Sequence, residues 1–301
     1  MWSLYTAQEE NTMSDRVDLH AHSVYSDGTL TPAELLDAAE AAGLHAIALT
    51  DHNTVDGLPH FAAAAAGRKI EAVPGIEFSV DYKGGELHIL GLFIDPPAYG
   101  EITERMAEGC RRKEDSNVAL VEALARAGYP LDYAAIKAST PGGMINRAHI
   151  AAAMVEKGYI ASVQDAFRTL LAPGNGFYTP PARINAFEII AMIRRLGGVS
   201  VLAHPFLNLK EENDLCAFLE QAVPCGLDGM ETTYSLFDAD QTARLEALAD
   251  RFGLLRSGGS DFHGGTKPYL SLGTGKGNLQ IPAQYYFELK ARKKLRTEGK
   301  I

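Results

Sequence analysis

Short apolar strands that alternate with helices recur along this chain, and this alternation limits its fold more than any other feature. Residues 17–22 and 46–50 predict two strands, and between them Thr31 begins the capping sequence Thr-Pro-Ala-Glu, which predicts a helix. The same alternation returns over residues 185–203 and 228–257. Strands separated by helices are typical of parallel sheets and barrels, so the sequence predicts an α/β fold.

The pattern changes in the middle of the chain. Residues 77–80 and 86–94 predict two strands joined by a Lys-Gly-Gly turn at residues 83–85, and residues 101–171 predict mostly helices. We therefore expect an inserted helical subdomain that divides the barrel into two parts. The expected limits are 1–96 for the first part of the barrel, 97–181 for the helical insertion and 182–301 for the second part of the barrel.

Composition narrows the class of protein further. The chain has 301 residues, a net charge of −10 and three cysteines. A chain this acidic lacks the broad basic surface that grips duplex DNA, so duplex DNA is not an expected partner. The cysteines show no Cys-x-x-Cys spacing, and no apolar run approaches the ~18 residues that a membrane-spanning helix needs. We therefore expect a cytoplasmic protein without a membrane partner, and both Met1 and Met13 are compatible with its start.

Side chains suited to metal binding cluster at the predicted strand ends. On the first strand Asp18, His20 and His22 are two residues apart, so we expect them on one face, where two imidazoles can chelate one ion. The other candidates are Asp27, His52, Glu77, His88, His204, Asp261 and His263. In a parallel barrel the carboxyl ends of the strands share one face, where active sites are built. Each of these side chains alone would more often be structural, but their joint placement favours a metal centre.

The order of these residues resembles that of a known family. Along the chain the motifs are His-x-His, Ser-Asp-Gly, Thr-Asp-His, Gly-Ile-Glu, a hairpin His, Ala-His-Pro and Ser-Asp-Phe-His. They resemble the polymerase and histidinol phosphatase (PHP) superfamily of metal-dependent phosphoesterases over about the whole chain. The segment 146–150 is most similar to the stand-alone branch that acts on nucleotide 3′,5′-bisphosphates and on the 5′ ends of short RNA. The resemblance implies a distorted (β/α)7 barrel with a trinuclear metal site.

The resemblance also implies how the ligands are shared. It places one ion on His20, His22, Glu77 and Asp261. Glu77 would bridge to a second ion held by His88 and His204, and the third ion would be held by Asp27, His52 and His263. Histidine and carboxylate ligands are compatible with Mn, Zn or Fe, and the family makes Mn the first expectation. We therefore expect up to three divalent metal ions as cofactors.

The expected reaction is the hydrolysis of a phosphate ester by a hydroxide that the metal ions activate. Glu77, His204 and Asp261 are expected at the reaction itself. Three divalent ions and the three carboxylates of the ligand set leave a charge of about +3, so an acidic protein can still attract a phosphate. The expected substrate is a small phosphorylated molecule, namely a nucleotide or a short RNA end.

Three residues are expected to contact this substrate. The family resemblance implies that Arg147 faces the mouth of the barrel, so we expect it to clamp a phosphate through two hydrogen bonds. Asn146 and Lys267 are further candidates for substrate contacts. A solvated arginine on a helix and a mobile lysine in a loop remain the structural alternatives for Arg147 and Lys267.

Two alternative functions stay open. The same metals are compatible with a histidinol-phosphate phosphatase or another small phosphomonoesterase, and an acidic pocket for an amine would favour the former. A metal-bound nucleotide- or RNA-binding module without turnover is the other alternative, and the presence of Asp27, His52 and Asp261 argues against it. The sequence leaves open the native metal, the base preference, the choice between free nucleotides and RNA ends, and the oligomeric state.

Overall fold

A computed structural model describes residues 15–139, 145–172, 174–277 and 279–301. Its contacts divide the chain into two compact units. The barrel unit comprises the described residues up to Thr103 together with Ile184–Ile301, and the helical unit comprises Glu104–Arg183. Met13 lies outside the described residues. No helix within the described ranges is both long and apolar enough to span a membrane, and the cytoplasmic location stays a prediction.

A seven-stranded sheet forms the centre of the barrel unit, and its strands follow one another in chain order. They are β1 (Val17–Ala21), β2 (Ala46–Leu49), β3 (Glu71–Tyr82), β4 (Gly85–Leu92), β5 (Val199–Leu202), β6 (Gly229–Tyr234) and β7 (Leu255–Gly259). Neighbouring strands are parallel, except that β4 is antiparallel to β3 and β5. Ala21 of β1 also bridges to Phe262, which follows β7, so the sheet is nearly closed. This confirms the expected distorted (β/α)7 barrel.

Helices connect most of these strands. They are α1 (Pro32–Ala41), α2 (Leu58–Ala65), α3 (Tyr99–Arg126), α4 (Tyr133–Ser139), α5 (Arg147–Glu156), α6 (Val163–Thr169), α7 (Ala186–Arg195), α8 (Pro205–Asn208), α9 (Glu212–Cys225), α10 (Ala239–Phe252) and α11 (Ala283–Thr297). α1 begins with the capping box that the sequence predicts. The backbone N of Glu34 donates to Thr31 Oγ1 at 3.3 Å, and the backbone N of Thr31 donates to the Glu34 carboxylate at 2.8 Å.

Alternate residues of the strands build the core of the barrel unit, because side chains two apart on a strand share a face. The buried cluster includes Val17, Leu19, Ala46, Ala48, Leu90, Leu92, Val199 and Val201. Tyr286 and Leu289 of α11 belong to the same cluster. The C-terminal helix is therefore part of the hydrophobic core.

The helical unit has a core of its own. α3 begins in the barrel unit and continues into the helical unit, where α4, α5 and α6 follow. Buried side chains in this core include Leu120, Leu124, Ile150, Met154 and Leu171. The helical insertion that the sequence predicts is confirmed, whereas domain limits at residues 97 and 181 stay a prediction.

Strands β3 and β4 break the regular alternation, and their geometry positions two of the candidate ligands. β2 pairs with the first four residues of β3, and His52, which follows β2, bridges to Glu77 further along β3. Glu77 thus lies inside a long strand but level with the end of β2. His88 lies in the first half of β4, opposite Ser79 of β3. Because β4 runs antiparallel, its first half is directed towards the carboxyl end of β3.

Candidate metal centre

Glu77 lies at the centre of the candidate site. Its side chain is fully buried, and its two carboxylate oxygens face different imidazoles. The ring nitrogens close to Oε2 are His20 Nε2 at 3.1 Å, His22 Nε2 at 3.2 Å and His52 Nδ1 at 3.1 Å. Those close to Oε1 are His88 Nδ1 at 2.7 Å and His204 Nε2 at 3.0 Å. A carboxylate placed in this way could bridge two metal ions.

A first group of potential ligands comes from β1, β3 and the end of β7. One ligand atom each from His20, His22, Glu77 and Asp261 lies within 4.8 Å of the others. Asp261 Oδ1 is 3.2 Å from His22 Nε2 and 3.7 Å from His20 Nε2. β7 can approach β1 this closely because residue 259 is glycine, and a Cβ there would lie 2.1 Å from the Cβ of His20. These are the four residues that the family resemblance assigns to one ion.

A second group lies beside the first. His22, Asp27, His52 and His263 each offer a ligand atom, and these atoms also lie within 4.8 Å of one another. Asp27 Oδ1 is 3.2 Å from His263 Nε2, and Asp27 Oδ2 is 3.9 Å from His52 Nε2. The group contains the three residues expected on the third ion, and the structure adds His22 to them.

The third group differs in one residue from the expectation. It consists of His52, Glu77 and His88, whereas the family resemblance assigns Glu77, His88 and His204 to the second ion. His204 lies next to this group, with its Nε2 3.0 Å from Glu77 Oε1. All nine residues predicted as ligands thus lie in one site, and their role as ligands stays a proposal.

Five buried ligand atoms of this site make no hydrogen bond within the described part of the chain. They are His20 Nε2, His22 Nε2, His52 Nδ1, Glu77 Oε2 and His263 Nε2. A buried polar atom without a partner costs about 1–3 kcal/mol. Atoms of this kind that converge on one volume fit cations that they would coordinate, and nitrogen and oxygen ligands suit Mn, Zn or Fe. The site is therefore able to hold metal ions.

The ionisation of the site also favours cations. Burial alone would raise the pKa of Glu77, but attraction to His20 and His88 outweighs it and holds that pKa well below its usual range. Burial opposes the shift at Asp261 too, yet the nearby imidazoles of His22 and His20 lower the pKa of that carboxyl. Against the effect of burial, Glu77 raises the pKa of His88 to about 9. Both carboxylates are thus ionised at neutral pH, and His88 carries a proton that a metal ion would displace.

Two of the candidate ligands occupy the left-handed region of backbone space. The φ angle is 28° at His204 and 55° at Asp261. Such a conformation costs a non-glycine residue about 1–3 kcal/mol and is found mostly at functional sites. Hydrogen bonds to neighbouring strands hold both residues in place: the backbone N of His204 donates to the Glu231 carboxylate at 2.7 Å, and that of Asp261 donates to the carbonyl of His20 at 2.9 Å.

Asp18 supports the site without joining the three groups of potential ligands. Its carboxylate accepts hydrogen bonds from the backbone N of Ser260 at 2.9 Å and of Gly273 at 2.7 Å. Asp18 therefore holds the loop after β7, which carries Asp261 and His263.

Lys267, predicted to contact substrate, is engaged by one of the candidate ligands. Its Nζ lies 2.8 Å from Asp261 Oδ2. The phenol of Tyr234 donates to the same oxygen, also at 2.8 Å. The other oxygen, Oδ1, is the one close to His20 and His22. These two contacts orient the carboxylate of Asp261, and a contact between Lys267 and substrate stays a prediction.

The two remaining substrate candidates lie in the helical unit. Asn146 caps α5, and its Oδ1 accepts from the backbone N of Ala148 at 2.9 Å. The guanidinium of Arg147 lies over the ring of Tyr178, with Cζ 4.3 Å from the centroid, and its Nη1 donates to the carbonyl of Leu171 at 2.9 Å. The Arg147 side chain is thus held in a fixed orientation rather than free in solvent.

Sequence reasoning missed two residues of the site, both on β6. Glu231 is fully buried and contacts His20 and His204, and Tyr234 contacts Asp261. The signal that could have found Glu231 is its position inside an otherwise uncharged strand, because a glutamate there would be buried and must have partners.

The barrel and the site together fit a class of protein, namely hydrolases that use metal ions at the strand ends of an α/β barrel. Comparison with known proteins gives the family: the chain belongs to the PHP domain family, whose profile matches residues 18–171. The chain is 35% identical to a 3′,5′-nucleoside bisphosphate phosphatase of Chromobacterium violaceum, over 82% of this chain and 87% of the relative. It is 32% identical to a 5′-3′ exoribonuclease of Haemophilus influenzae, over 83% of this chain and 91% of the relative.

A solved structure supports the same family. A protein of Bifidobacterium adolescentis assigned as a metal-dependent phosphoesterase is similar with a TM-score of 0.68 and 30% identity. The similarity covers 92% of this chain and 96% of that protein. The chain is accordingly a metal-dependent phosphoesterase in fold and in site composition.

Proposed function

We propose that this protein hydrolyses the 3′-phosphate of a nucleoside 3′,5′-bisphosphate and releases a nucleoside 5′-monophosphate and phosphate. The observation that carries the proposal is the buried centre around Glu77 in a chain similar, over most of its length, to a 3′,5′-nucleoside bisphosphate phosphatase. The proposed cofactors are up to three divalent ions, with Mn as the first choice and Zn or Fe as alternatives.

Bound divalent ions would supply Lewis acidity that neutralises phosphoryl oxygens and activates water for in-line attack. The residues of the chain have distinct tasks around them. Glu77 would join two ligand groups, because its two oxygens face different imidazoles. Asp261 would present Oδ1 to the first group, since Tyr234 and Lys267 occupy its Oδ2. His204 would approach Glu77 Oε1 from the end of β5.

Arg147 is the proposed contact for the second phosphate of the substrate. A planar guanidinium can form two hydrogen bonds to one phosphate. Stacking on Tyr178 and the bond to the carbonyl of Leu171 fix its orientation, which lowers the entropy lost when a phosphate binds. Asn146 and Lys267 remain proposed as further substrate contacts.

Hydrolysis at the 5′ end of a short RNA is a second candidate function. The similarity to a 5′-3′ exoribonuclease over 91% of that relative favours it. Both substrates carry a phosphate next to a phosphoester that is to be cleaved, so one site can serve both. They differ in how many nucleotides must be accommodated beyond the metal centre.

An activity panel with added Mn tests the proposal. The substrates are a nucleoside 3′,5′-bisphosphate, a mononucleotide, a short 5′-phosphorylated RNA, histidinol phosphate and p-nitrophenyl phosphate. We expect the highest kcat/KM for the bisphosphate, and a higher value for the RNA would favour the second candidate. The variant Glu77→Gln, prepared in parallel, measures any contaminating phosphatase. Highest activity on histidinol phosphate would reject the nucleotide proposal, and no turnover of any ester would indicate a binding module.

A further inference from the structure

Strand β6 contributes none of the nine proposed ligands, although it lies between β5 and β7, which lead into His204 and Asp261. It instead carries Glu231, a fully buried glutamate. Glu231 Oε1 is 3.0 Å from His20 Nδ1, and its Oε2 accepts a hydrogen bond from the backbone N of His204 at 2.7 Å. One carboxylate thus joins the first strand of the barrel to the end of the fifth.

We propose that Glu231 is a positioning residue that holds His20 in the tautomer protonated at Nδ1, so that Nε2 is the atom that binds metal. This inference rests on the proposed metal centre. The backbone N of His204 can only donate, which commits Oε2 as an acceptor. Oε1 is likewise an acceptor, so His20 must present Nδ1–H to it.

The other ring nitrogen of His20, Nε2, is free to bind metal if Nδ1 carries the proton. Nε2 is buried, makes no hydrogen bond within the described residues, and lies 3.1 Å from Glu77 Oε2. A ring that donates from Nδ1 has its lone pair at Nε2, directed at this group. Carboxylates that accept from the far nitrogen of a metal-binding histidine fix its orientation and raise its basicity as a ligand.

The second contact of Glu231 acts on the backbone of His204. That residue has a φ of 28°, a conformation that needs support from its surroundings. The bond from its backbone N to Glu231 supplies such support, and the His204 ring reaches Glu77 Oε1 from this position. Glu231 therefore aligns two candidate ligands that are 184 residues apart in the chain.

The variant Glu231→Gln tests the tautomer directly, because glutamine offers one acceptor and one donor. The amide oxygen must accept from the backbone N of His204, so the NH2 group faces His20 Nδ1. The ring is then forced to carry its proton on Nε2 and cannot bind metal through that atom. We expect Zn affinity at the first group to fall by about 10–100-fold, as is typical when the partner of a ligand is lost.

The measurement is Zn binding by competition with a chelator, together with elemental analysis, for wild type, Glu231→Gln and the control Glu71→Gln. Glu71 lies on β3 outside the site, where its carboxylate accepts from Tyr286 and Lys290. We expect Glu71→Gln to bind Zn like wild type. Unchanged Zn affinity in Glu231→Gln would overturn the proposal. The proposal would also be overturned if the variant bound no Zn and its metal-free form showed no cooperative unfolding transition.

A second measurement needs no change at Glu231. In the Zn-loaded wild type, ¹⁵N spectra of labelled histidine distinguish a ring protonated at Nδ1 from one protonated at Nε2, and the variant His20→Gln identifies the signal. We expect His20 with Nδ1–H and Zn at Nε2, and the reverse assignment would overturn the proposal. Both measurements use metal rather than turnover, so a protein that binds Zn as expected but cleaves no nucleotide would reject the proposed function alone.

Discussion

Glu77 shows how a single carboxylate can organise several ligand groups. Burial of a charged carboxylate costs free energy, and this cost is offset because five imidazoles lie within 3.2 Å of its oxygens. The same surroundings hold its pKa low, so it keeps its charge in the metal-free protein. Removing that charge would leave the imidazoles without their common partner.

We expect Glu77→Gln to lower hydrolysis of the nucleoside bisphosphate by more than ~100-fold, because it weakens two ligand groups at once. Steady-state kinetics with saturating metal measure the effect, and elemental analysis measures the loss of bound metal. Glu71→Gln, an identical change on the same strand, is expected to leave both values unchanged. Turnover close to wild type in Glu77→Gln with a full complement of metal would show that another residue bridges.

Arg147 allows a test of substrate binding outside the metal centre. We expect Arg147→Ala to raise the KM for a nucleoside 3′,5′-bisphosphate at least ~10-fold, since hydrogen bonds to charged groups contribute about 1.5–3 kcal/mol. p-Nitrophenyl phosphate has a single phosphate, so its KM should change little. An equal loss for both substrates would place Arg147 at the scissile phosphate.

Arg147→Ala also removes the stacking on Tyr178, so its melting temperature must be compared with that of a second variant in the helical unit. Arg168→Ala is suitable, because its side chain is 77% exposed and pairs only with Asp165 among the described residues. We expect Arg168→Ala to keep the wild-type KM. A similar rise in KM for both variants would show that stability of the helical unit, rather than a phosphate contact, explains the effect.

At the residue level, the sequence predicted all nine side chains that gather in the site, because their types and their order along the chain carry that information. The family resemblance assigned His204 to the second ion together with Glu77 and His88, whereas the structure groups His52 with these two residues. Such a detail depends on the exact directions of neighbouring side chains. Glu231 and Tyr234 were missed because a residue that acts by hydrogen bonding to a ligand has no motif of its own.

At the scale of secondary structure, β6 acts as a support strand for its neighbours. Tyr234 at its end donates to Asp261, and burial together with that carboxylate raises the pKa of the phenol, so it stays protonated and continues to donate. We expect Tyr234→Phe to weaken metal binding at the first group by roughly tenfold, in line with the loss of a hydrogen bond to a charged group. Zn competition titrations check this value.

Tyr285→Phe is the matched control, because its hydroxyl donates to Glu246 outside the site. We expect it to bind Zn like wild type. If Tyr234→Phe also retained wild-type affinity, Lys267 alone would be sufficient to orient Asp261.

The sheet shows which features of the fold a sequence pattern can predict and which it cannot. The capping box at Thr31 and the apolar run of β2 are local signals, and both are found where the sequence predicts them. The antiparallel course of β4 between β3 and β5 is a non-local feature. Only the Lys-Gly-Gly segment at residues 83–85 indicates half of this course, namely the pairing of β4 with β3.

For the molecule as a whole, metal binding should stabilise the fold, because the proposed ligands come from most strands of the barrel. We expect purified protein to carry about two to three equivalents of transition metal, because the nine proposed ligands exceed the four or so that a single zinc site uses. Metal at 100 times its Kd stabilises the fold by about 2.7 kcal/mol per ion, so removal by a chelator should lower the melting temperature of this 301-residue chain by roughly 4 °C for each ion lost. Elemental analysis and calorimetry measure both quantities, and absence of metal after growth with added metal would reject the trinuclear centre.

Metal binding should also depend on pH. With its pKa raised to about 9, His88 is protonated at pH 7 in the metal-free protein, and it must lose that proton to bind an ion. The affinity of the third group should therefore rise with pH, by up to ~tenfold per unit, until about pH 9. Calorimetry in buffers of different ionisation enthalpy counts the protons released. Heat that is independent of the buffer would show that His88 binds no metal or is already neutral.

The distribution of the ligand groups along the chain has a consequence for biosynthesis. His52, Glu77 and His88 all lie in the first third of the sequence, whereas the other two groups need Asp261 or His263. At about 5–20 residues per second, a ribosome adds Asp261 roughly 9–35 s after His88. A nascent chain thus carries the third group complete for many seconds before either of the others exists. Translation therefore supplies the ligands of the three groups in a fixed order, with those of the third group first.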